Sequence, residues 1–390
     1  MNILYLDWPC FGHVDIVFTF EYILKHRVVK FIHDDYVERE SADFQRKFDE
    51  VCEEQNFDFC FSYNFFPVLA TACHRHNLKY ISVVYDSPFI KLYSYMITYP
   101  TNYVFIFDYQ LYQELRNGGI PTVYYTVLPV NSTVIETMLT KEYDVARTTA
   151  DISFVGSLYN EEHTLFDRLY PKVSDYCKGY LDAIMQAQLK VSGYNFIEEV
   201  LTGQILEELK QAEPYVPSSD GVETLEHVYS TYYIDRQLTS MERIQLLTSI
   251  GARHPLKLFT LNPDVLIPGV TNMGVTDYYS EMPYIFHNSK INLNITLRSI
   301  KSGIPLRCMD IMGAGGFLLT NFQADFLNFF TPGEDFVYYE DEADLLHKID
   351  YYLEHEDQRK EIASNGHRKV MENHSFEKCL ADILAVVFEK

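Results

Sequence analysis

The sequence predicts an α/β protein of two domains, each with a parallel sheet flanked by helices. Three observations indicate this fold class. The chain has 390 residues, which at about 150 residues per domain corresponds to two or three domains. Short, near-continuous apolar runs alternate with amphipathic segments, as in β-α-β units with strands buried on both faces. Hydrophobic residues form 47% of the chain and charged residues 22%, which is typical of large packed domains.

The first domain is predicted to span residues 1–148. The segments between its apolar runs are long enough for crossover helices, so a Rossmann-like sheet follows. The predicted strands are Asn2 to Asp7, Val28 to His33, Phe57 to Ser62, Lys79 to Tyr85, Tyr103 to Phe107 and Thr122 to Val127.

The second domain is predicted to span residues 149–390, because the polar stretch 141–150 precedes a new strand. From about 165 to 250 the apolar spacing is helical, which indicates a helical insertion. Pro, Ser and Gly in 214–221 interrupt it with a loop. The last fifty residues are again helical, and an acidic cluster at 340–344 is interpreted as a helix cap. Strands are predicted from Asp151 and at Pro255 to Thr260, Ile291 to Thr296, Phe317 to Asn321 and Asp335 to Tyr339.

The excess of acidic residues, the absence of long apolar runs and the cysteines bear on the partners and location of the protein. Acidic residues number 55 and basic residues 32, so the formal charge is −23, which disfavours a nucleic-acid partner. No apolar run reaches the ~18 residues of a membrane-spanning helix, and the first residues lack a signal-peptide pattern. Seven scattered cysteines without a C-x-x-C pair indicate free thiols in a reducing compartment. We therefore expect a cytoplasmic protein.

Candidate catalytic residues follow two strands of the first domain. Ligand sites of such sheets lie beyond the carboxyl ends of the strands. Asp86 follows the fourth strand and precedes Ser-Pro, and His13 follows the first strand. Either side chain could accept a hydroxyl proton as a general base. Asp86 could equally bind only the turn amides ahead of Pro88, and spacing alone does not decide between these interpretations.

The segment SGIPLRCMDIMGAGGFLLTN (302–321) is the most informative of the second domain. Pro305 fits the first turn of a helix, on which Arg307 and Asp310 share one face. An arginine near a helix N-terminus suits a diphosphate, and a carboxylate one turn later can accept both ribose hydroxyls. The alternative is a plain salt bridge between the two side chains. Three glycines then end the helix and lead into a strand: Gly313, Gly315 and Gly316.

Weaker candidates follow or lie on other strands. Gly156 and Ser157 come directly after a strand, where a backbone can approach a phosphate. Asn292 and Asn294 share one face of a strand that should be buried, so their amides need partners, and a ligand is one candidate. The sequence contains no dinucleotide, Walker A or nucleophile-elbow motif, and its histidines lack metal spacing.

The stretches INLNIT, PLRCMDIMGAGGFLLTN and DQRKEIASNGHRKVMENHSFEKCL, in that order, resemble the nucleotide-sugar-binding half of CgeB-like (spore maturation protein type) glycosyltransferases. The first 140 residues resemble the domain often fused to that half. The resemblance implies the GT-B architecture, in which two Rossmann-like domains face a cleft. It implies that the second domain holds the sugar nucleotide and the first holds the acceptor, with the last helix packing back on the first domain.

Carried over by position, the resemblance assigns Arg307 to the diphosphate and Asp310 to the ribose. The family usually has Glu at the position of Asp310, and Ser302 stands where the wider superfamily has the first residue of a paired Glu motif. Enzymes of this architecture typically need no metal or other cofactor. Arg307 would stabilise the charge that develops on the leaving nucleotide, with backbone amides near Gly156 assisting.

The leading hypothesis is a cytoplasmic glycosyltransferase that uses a nucleoside-diphosphate sugar, with UDP favoured. Its acceptor would be a polysaccharide, a bacterial surface component or a protein. One alternative is a nucleotide-sugar epimerase, since the same fold hosts that chemistry. Another is a non-catalytic structural protein of a spore or cell surface. The helical insertion would shape the acceptor side or a homodimer contact.

Overall fold

The computed structural model describes all residues except 131–134, 136, 138–141, 162 and 389–390. The chain packs into two compact units, which are described separately. Unit 1 contains Met1–Pro129, Val216–Glu223 and His374–Lys390, and unit 2 contains Val130–Tyr215 and Thr224–Asn373. The last segment therefore belongs with the first domain, and so does a short piece of the predicted helical insertion.

The sheet of unit 1 has six parallel strands in the order β2-β1-β3-β4-β5-β6. The third and fourth strands are buried at every position, as their apolar runs predict. The order changes direction between β1 and β3, so loops after these strands flank a topological switch point. The strands are β1 (Asn2–Leu6), β2 (Arg27–Phe31), β3 (Phe59–Tyr63), β4 (Tyr80–Val84), β5 (Asn102–Ile106) and β6 (Val123–Tyr125).

Helices cover both faces of this sheet. The described α-helices of unit 1 are α1 (His13–Phe18), α2 (Ala42–Glu54), α3 (Pro67–Arg75), α4 (Tyr109–Asn117) and, from the C-terminal segment, α16 (Phe376–Phe388). Shorter 3-10 and π turns lie at Thr19–Ile23, Asp34–Val37, Ile90–Tyr93 and Tyr95–Thr98. In α16 the ring of Phe388 lies 5.8 Å from that of Phe59 and 4.3 Å from Lys79 Nζ.

The loop predicted at 214–221 is present, and its second half is an integral part of unit 1. The carboxylate of Asp220 is buried and accepts from Arg39 Nη1 at 2.9 Å. The Asp220 carbonyl accepts from the amide of Tyr95 at 3.0 Å. A buried ion pair and backbone hydrogen bonds thus hold this loop in place.

The sheet of unit 2 also has six parallel strands, in the order β12-β11-β10-β7-β8-β9. Numbered within the unit, this is the order 3-2-1-4-5-6 of dinucleotide-binding sheets, with its switch point between β7 and β10. The strands are β7 (Ala150–Val155), β8 (Leu256–Phe259), β9 (Val270–Gly274), β10 (Ser289–Asn294), β11 (Leu318–Asn321) and β12 (Val337–Tyr339).

The described α-helices of unit 2 include the predicted insertion between β7 and β8. They are α5 (Val145–Thr148), α6 (Leu165–Leu169), α7 (Asp175–Gln188), α8 (Ile197–Val200), α9 (Gly203–Ala212), α10 (Leu225–Val228), α11 (Asp235–Gly251), α12 (Met282–Asn288), α13 (Leu306–Gly313), α14 (Glu342–Glu354) and α15 (Glu356–Asn373). Shorter turns lie at Tyr170–Lys172, Tyr229–Ile234 and Ala324–Asn328. The acidic cluster does cap α14, since the Asp341 side chain accepts from the amide of Asp344 at 2.8 Å.

The strand β9 was not predicted. Its sequence VTNMG contains two polar residues, and none of its five positions is buried. It is an edge strand of the sheet, paired only with β8, and it carries no apolar run. Edge strands of this kind carry little of the signal on which strand prediction rests.

Candidate functional site

In unit 1, His13 lies where the sequence predicts, at the start of α1 and just after β1. Its Nδ1 donates to the carbonyl of Cys10 at 2.6 Å. A hydrogen bond from Nδ1 fixes the neutral tautomer in which Nε2 is the acceptor. The neighbouring Cys10 is not a nucleophile candidate, because burial raises the pKa of its thiol to about 12.

Asp86 is exposed and follows β4, as predicted. Its Oδ2 accepts from Nδ2 of Asn64 at 2.7 Å, and its own amide donates to Asn64 Oδ1 at 3.3 Å. Asn64 comes directly after β3, so the loops after two neighbouring strands are joined at the carboxylate. Sequence reasoning did not select Asn64, whose identity as a turn residue gives no sign of this contact.

Aromatic residues link the loops after β1, β3 and β4. Trp8 Nε1 donates to the carbonyl of Tyr63 at 3.1 Å, and the ring of Tyr63 lies 5.4 Å from that of Tyr85 at nearly a right angle. His13 and Asp86 therefore belong to one connected edge of the sheet, on the two sides of Asn64.

In unit 2, Arg243 on α11 joins the two loops at the switch point. Its Nη1 donates to the carbonyl of Ser157 at 2.5 Å, and Nε donates to the carbonyl of Ile295 at 3.1 Å. The guanidinium lies 5.4 Å from the ring centre of Phe154 and 5.0 Å from that of Tyr159. Burial lowers the pKa of this arginine. Its helical position, far in sequence from both loops, gave no signal of this contact.

We predict that Arg243→Lys destabilises unit 2 by about 2 kcal/mol, since lysine cannot donate to both carbonyls from one planar group. Urea denaturation measures the loss. The matched control is Arg236→Lys, because Arg236 also lies over the ring of Tyr159, at 5.7 Å, but is exposed. Equal stability of the Arg243→Lys variant and the control would contradict the bridging role.

Arg307 and Asp310 lie on α13 as predicted; Arg307 contacts α12, and Asp310 contacts the segment that leads into it. The Arg307 side chain contacts Met282 Sδ and lies over the ring of Phe286 at 5.5 Å. Asp310 is buried and accepts from the hydroxyl of Tyr278 at 3.1 Å. Tyr278 was missed, because a tyrosine in a polar loop carries no pattern that distinguishes it.

The glycines after Arg307 serve close packing. Gly315 ends α13 with φ +75°, a left-handed conformation that favours glycine. At Gly316, a Cβ atom would lie 2.6 Å from the carbonyl oxygen of Phe286, so any side chain would clash. At Gly313 it would lie 2.6 Å from Val130 Cγ1. Ligand binding by these glycines stays a prediction.

The two strand asparagines find partners within the protein. Asn292 accepts from Ser153 Oγ at 2.9 Å and donates to the carbonyl of Phe286 at 2.9 Å. Asn294 donates to the hydroxyls of Thr296 and Thr320. The polar side chains thus connect β10 to its neighbours. The protein itself supplies partners for these amides, for which the sequence offered a ligand as one candidate.

Gly156 and Ser157 are also engaged by the protein. The Gly156 amide donates to the carbonyl of Phe259 at 3.0 Å, which extends the pairing of β7 with β8. The Ser157 hydroxyl donates to Glu161 at 2.9 Å and accepts from the amide of Tyr159. The expected contribution of the Gly156 amide to a phosphate is therefore not available in this conformation.

A pocket lies at the carboxyl ends of β10 and β11, within unit 2. Arg298, one of its cations, is neutralised by Glu242 through bonds of 2.8 and 2.6 Å. The lining includes Asn195, Thr296, Arg298, Lys301, Asn321 and Gln323. The pocket is polar and adjoins the loop that Arg243 fixes.

Among the described residues, no group of three or more His, Cys, Asp or Glu side chains is arranged to hold a metal ion. No helix in the described part of the chain is long and apolar enough to cross a membrane. Metal independence and cytoplasmic location stay predictions.

Comparison with known proteins identifies the fold. A family model described as "Glycosyl transferase-like" matches residues 250–385, which contain β8 to β12 and the Asp310 site. Anabaena Alr3699/HepE, solved with UDP and glucose, is 12% identical at a TM-score of 0.53, with 99% of this chain and 100% of that chain covered. The chain has the GT-B fold and carries a glycosyltransferase-like domain. The predictions of this fold class and of a glycosyltransferase enzyme are confirmed at that level.

Two further solved structures match this GT-B chain over its whole length. Sucrose-phosphate synthase of Thermosynechococcus elongatus is 8% identical at a TM-score of 0.57, and a glycosyltransferase of Rickettsia africae is 13% identical at 0.53. Each comparison covers 100% of this chain and 98% of the other. The sequence matches no curated protein at a significant level.

Proposed function

We propose that this GT-B protein transfers a sugar from a UDP-sugar to a hydroxyl of a glycan, surface-component or protein acceptor, without a metal, as a CgeB-like glycosyltransferase. The observation that carries the proposal is the buried Asp310 carboxylate, paired with Tyr278, on the helix that follows β10 in a sheet of order 3-2-1-4-5-6. HepE, of the same fold, was solved with UDP and with UDP-glucose, which supports UDP as the nucleotide.

On the donor side, Asp310 would accept hydrogen bonds from the ribose hydroxyls, and Tyr278 would orient the carboxylate by donating to Oδ1. Arg307 stands in the first turn of α13 beside them, where a cation and the helix N-terminus both favour an anion. These groups form one patch of unit 2, in which the Asp310 carboxylate would accept from the sugar diol and the Arg307 guanidinium would bind the diphosphate.

On the acceptor side, Asp86 would act as the general base. As the acceptor oxygen forms a bond to the anomeric carbon, the bond from that carbon to the diphosphate oxygen breaks. The electron pair leaves on UDP, and the hydroxyl proton moves to the Asp86 carboxylate. His13, with Nε2 as its acceptor atom, is the second candidate for this proton.

We predict that UDP raises the thermal stability of the wild-type protein and that Asp310→Asn weakens UDP binding about tenfold to a hundredfold. A lost hydrogen bond to a charged group is worth about 1.5–3 kcal/mol. Ligand at a hundredfold excess over Kd stabilises the folded state by about 2.7 kcal/mol, so thermal unfolding with UDP, GDP, dTDP and ADP measures both effects. Tyr278→Phe should show a smaller loss in the same direction.

The control is Asp357→Asn, an exposed carboxylate of α15 in the same unit. UDP affinity in the Asp310→Asn variant equal to that of the control would contradict the donor site. The epimerase alternative is tested by incubating the protein with the bound UDP-sugar alone, because an epimerase converts it without releasing UDP.

A further inference from the structure

Asn64 has an unusual backbone conformation at the candidate acceptor edge of unit 1. It follows β3, is fully buried and has φ +56°. Left-handed conformations are uncommon outside glycine, and asparagine and aspartate tolerate them best. Such residues persist only where the surrounding structure holds them, and they cluster at functional sites.

Groups of β3 and of the neighbouring β4 hold the backbone of Asn64. Its amide donates to the carbonyl of Val83 at 2.8 Å, and its carbonyl accepts from Ser62 Oγ at 2.7 Å. The hydroxyl of Tyr80 lies 2.6 Å from Ser62 Oγ. All these groups are buried, so the sheet fixes the backbone from which the Asn64 side chain extends.

The side-chain amide of Asn64 then determines the position of Asp86. Nδ2 donates to Asp86 Oδ2 at 2.7 Å, while Oδ1 accepts from the amides of Tyr85 at 3.1 Å and Asp86 at 3.3 Å. One buried amide therefore binds both the backbone and the carboxylate of an otherwise exposed aspartate. A hydrogen bond donated to a carboxylate favours its ionised form.

We propose that Asn64 is a positioning residue that holds the Asp86 carboxylate ionised and in one orientation for proton transfer. This role rests on the proposed function, in which Asp86 is the general base. Glycine at position 64 would supply the backbone conformation without the donor. Aspartate would supply the conformation and the shape, but its carboxylate would face that of Asp86.

The first test is the titration of Asp86 itself, followed by NMR on protein labelled with 13C at the aspartate carboxyl carbon. The Asp86 signal is the one lost in Asp86→Asn. We expect Asn64→Gly to raise the pKa of Asp86 by about one unit and Asn64→Asp to raise it further, because one loses the donor and the other adds a like charge. Melting of Asn64→Gly reports separately on folding, and glycine relieves the backbone strain.

The second test is UDP release from UDP-glucose with water as the acceptor, measured between pH 3.5 and 9, a range that includes the ionisation of a carboxyl near its ordinary pKa of about 3.9. In Asn64→Gly we expect the acid limb of the kcat profile to move up by about one unit. We also expect kcat at pH 7, where such a carboxyl is ionised and only its orientation is lost, to fall about tenfold, with UDP affinity unchanged. Asn77→Gly is the matched control, since Asn77 also has a positive φ, +51°, but is exposed and follows α3.

The positioning role of Asn64 and the assignment of Asp86 as general base are contradicted by different results. An Asp86 pKa that is the same in wild type and Asn64→Gly overturns the role of Asn64, whatever the activities. Full UDP release by Asp86→Asn overturns the assignment of Asp86 as base and leaves His13 as the candidate for the proton in the proposed function. A pKa shift in Asn64→Gly together with loss of turnover in Asp86→Asn supports both.

Discussion

Asp86→Asn should lower kcat for sugar transfer about a thousandfold while leaving UDP affinity unchanged. General-base catalysis contributes about 10²–10⁴ in rate, and asparagine keeps the size of the side chain but cannot accept the proton. The nucleotide contacts proposed here come from Asp310, Tyr278 and Arg307, all in unit 2. UDP release from UDP-glucose and UDP-induced thermal stabilisation measure the two properties separately.

The matched control is Asp34→Asn, an exposed aspartate that follows β2 of the same sheet. It should retain wild-type turnover. If Asp86→Asn also retains turnover and His13→Gln loses it, then the proton acceptor is His13, whose Nε2 is left as the acceptor by the Nδ1 hydrogen bond to Cys10. Loss in neither variant would remove both candidates for the base.

The sequence predicts eleven of the twelve described strands because most of them carry an apolar run, which in β3 and β4 is buried at every position. It locates Asp86 and His13 for a related reason, since the carboxyl ends of parallel strands share one edge. It does not predict Asn64, Arg243 or Tyr278. Each of these acts through a contact with a distant segment, and spacing along the chain contains no information on such contacts.

The asparagines of β10 also show what spacing along the chain cannot decide. Polar residues in a buried strand indicate a need for partners, and the sequence leaves open whether a ligand or the protein supplies them. The register of β10 against β7 and β11 places Ser153 and Thr320 opposite Asn292 and Asn294. Only the pairing of strands decides this, because Ser153 is more than a hundred residues away in sequence.

The second large effect is a pH dependence of stability that originates at Asp235, in the first turn of α11. This carboxylate is fully buried and accepts from Asn195 Nδ2 at 2.8 Å. Burial raises its pKa to about 7, although Asn195 and the charge of Arg298 act in the opposite direction. In the unfolded chain an aspartate has a pKa of about 3.9.

Between pH 4 and pH 7 the folded state therefore keeps a proton that the unfolded state has released. The stability of unit 2 is highest below pH 4 as far as this group is concerned, and it falls as pH rises through the folded-state pKa. At 1.36 kcal/mol per pKa unit the loss approaches about 4 kcal/mol. Asp235→Asn should remove this dependence and make the protein more stable than wild type at pH 8.

Urea denaturation of wild type and Asp235→Asn between pH 5 and 8.5 measures this pH dependence. The informative quantity is the difference between their free energies of unfolding at each pH. His374 in unit 1 contributes with the opposite sign, because burial lowers its pKa to about 4 and stability gains from this group as pH rises to about 6.5. The wild-type curve alone thus sums two opposing slopes. The control is Asp175→Asn, at an exposed first-turn aspartate of α7, whose stability should follow that of wild type at each pH. A difference in unfolding free energy between wild type and Asp235→Asn that does not change with pH would contradict a buried Asp235 that holds a proton.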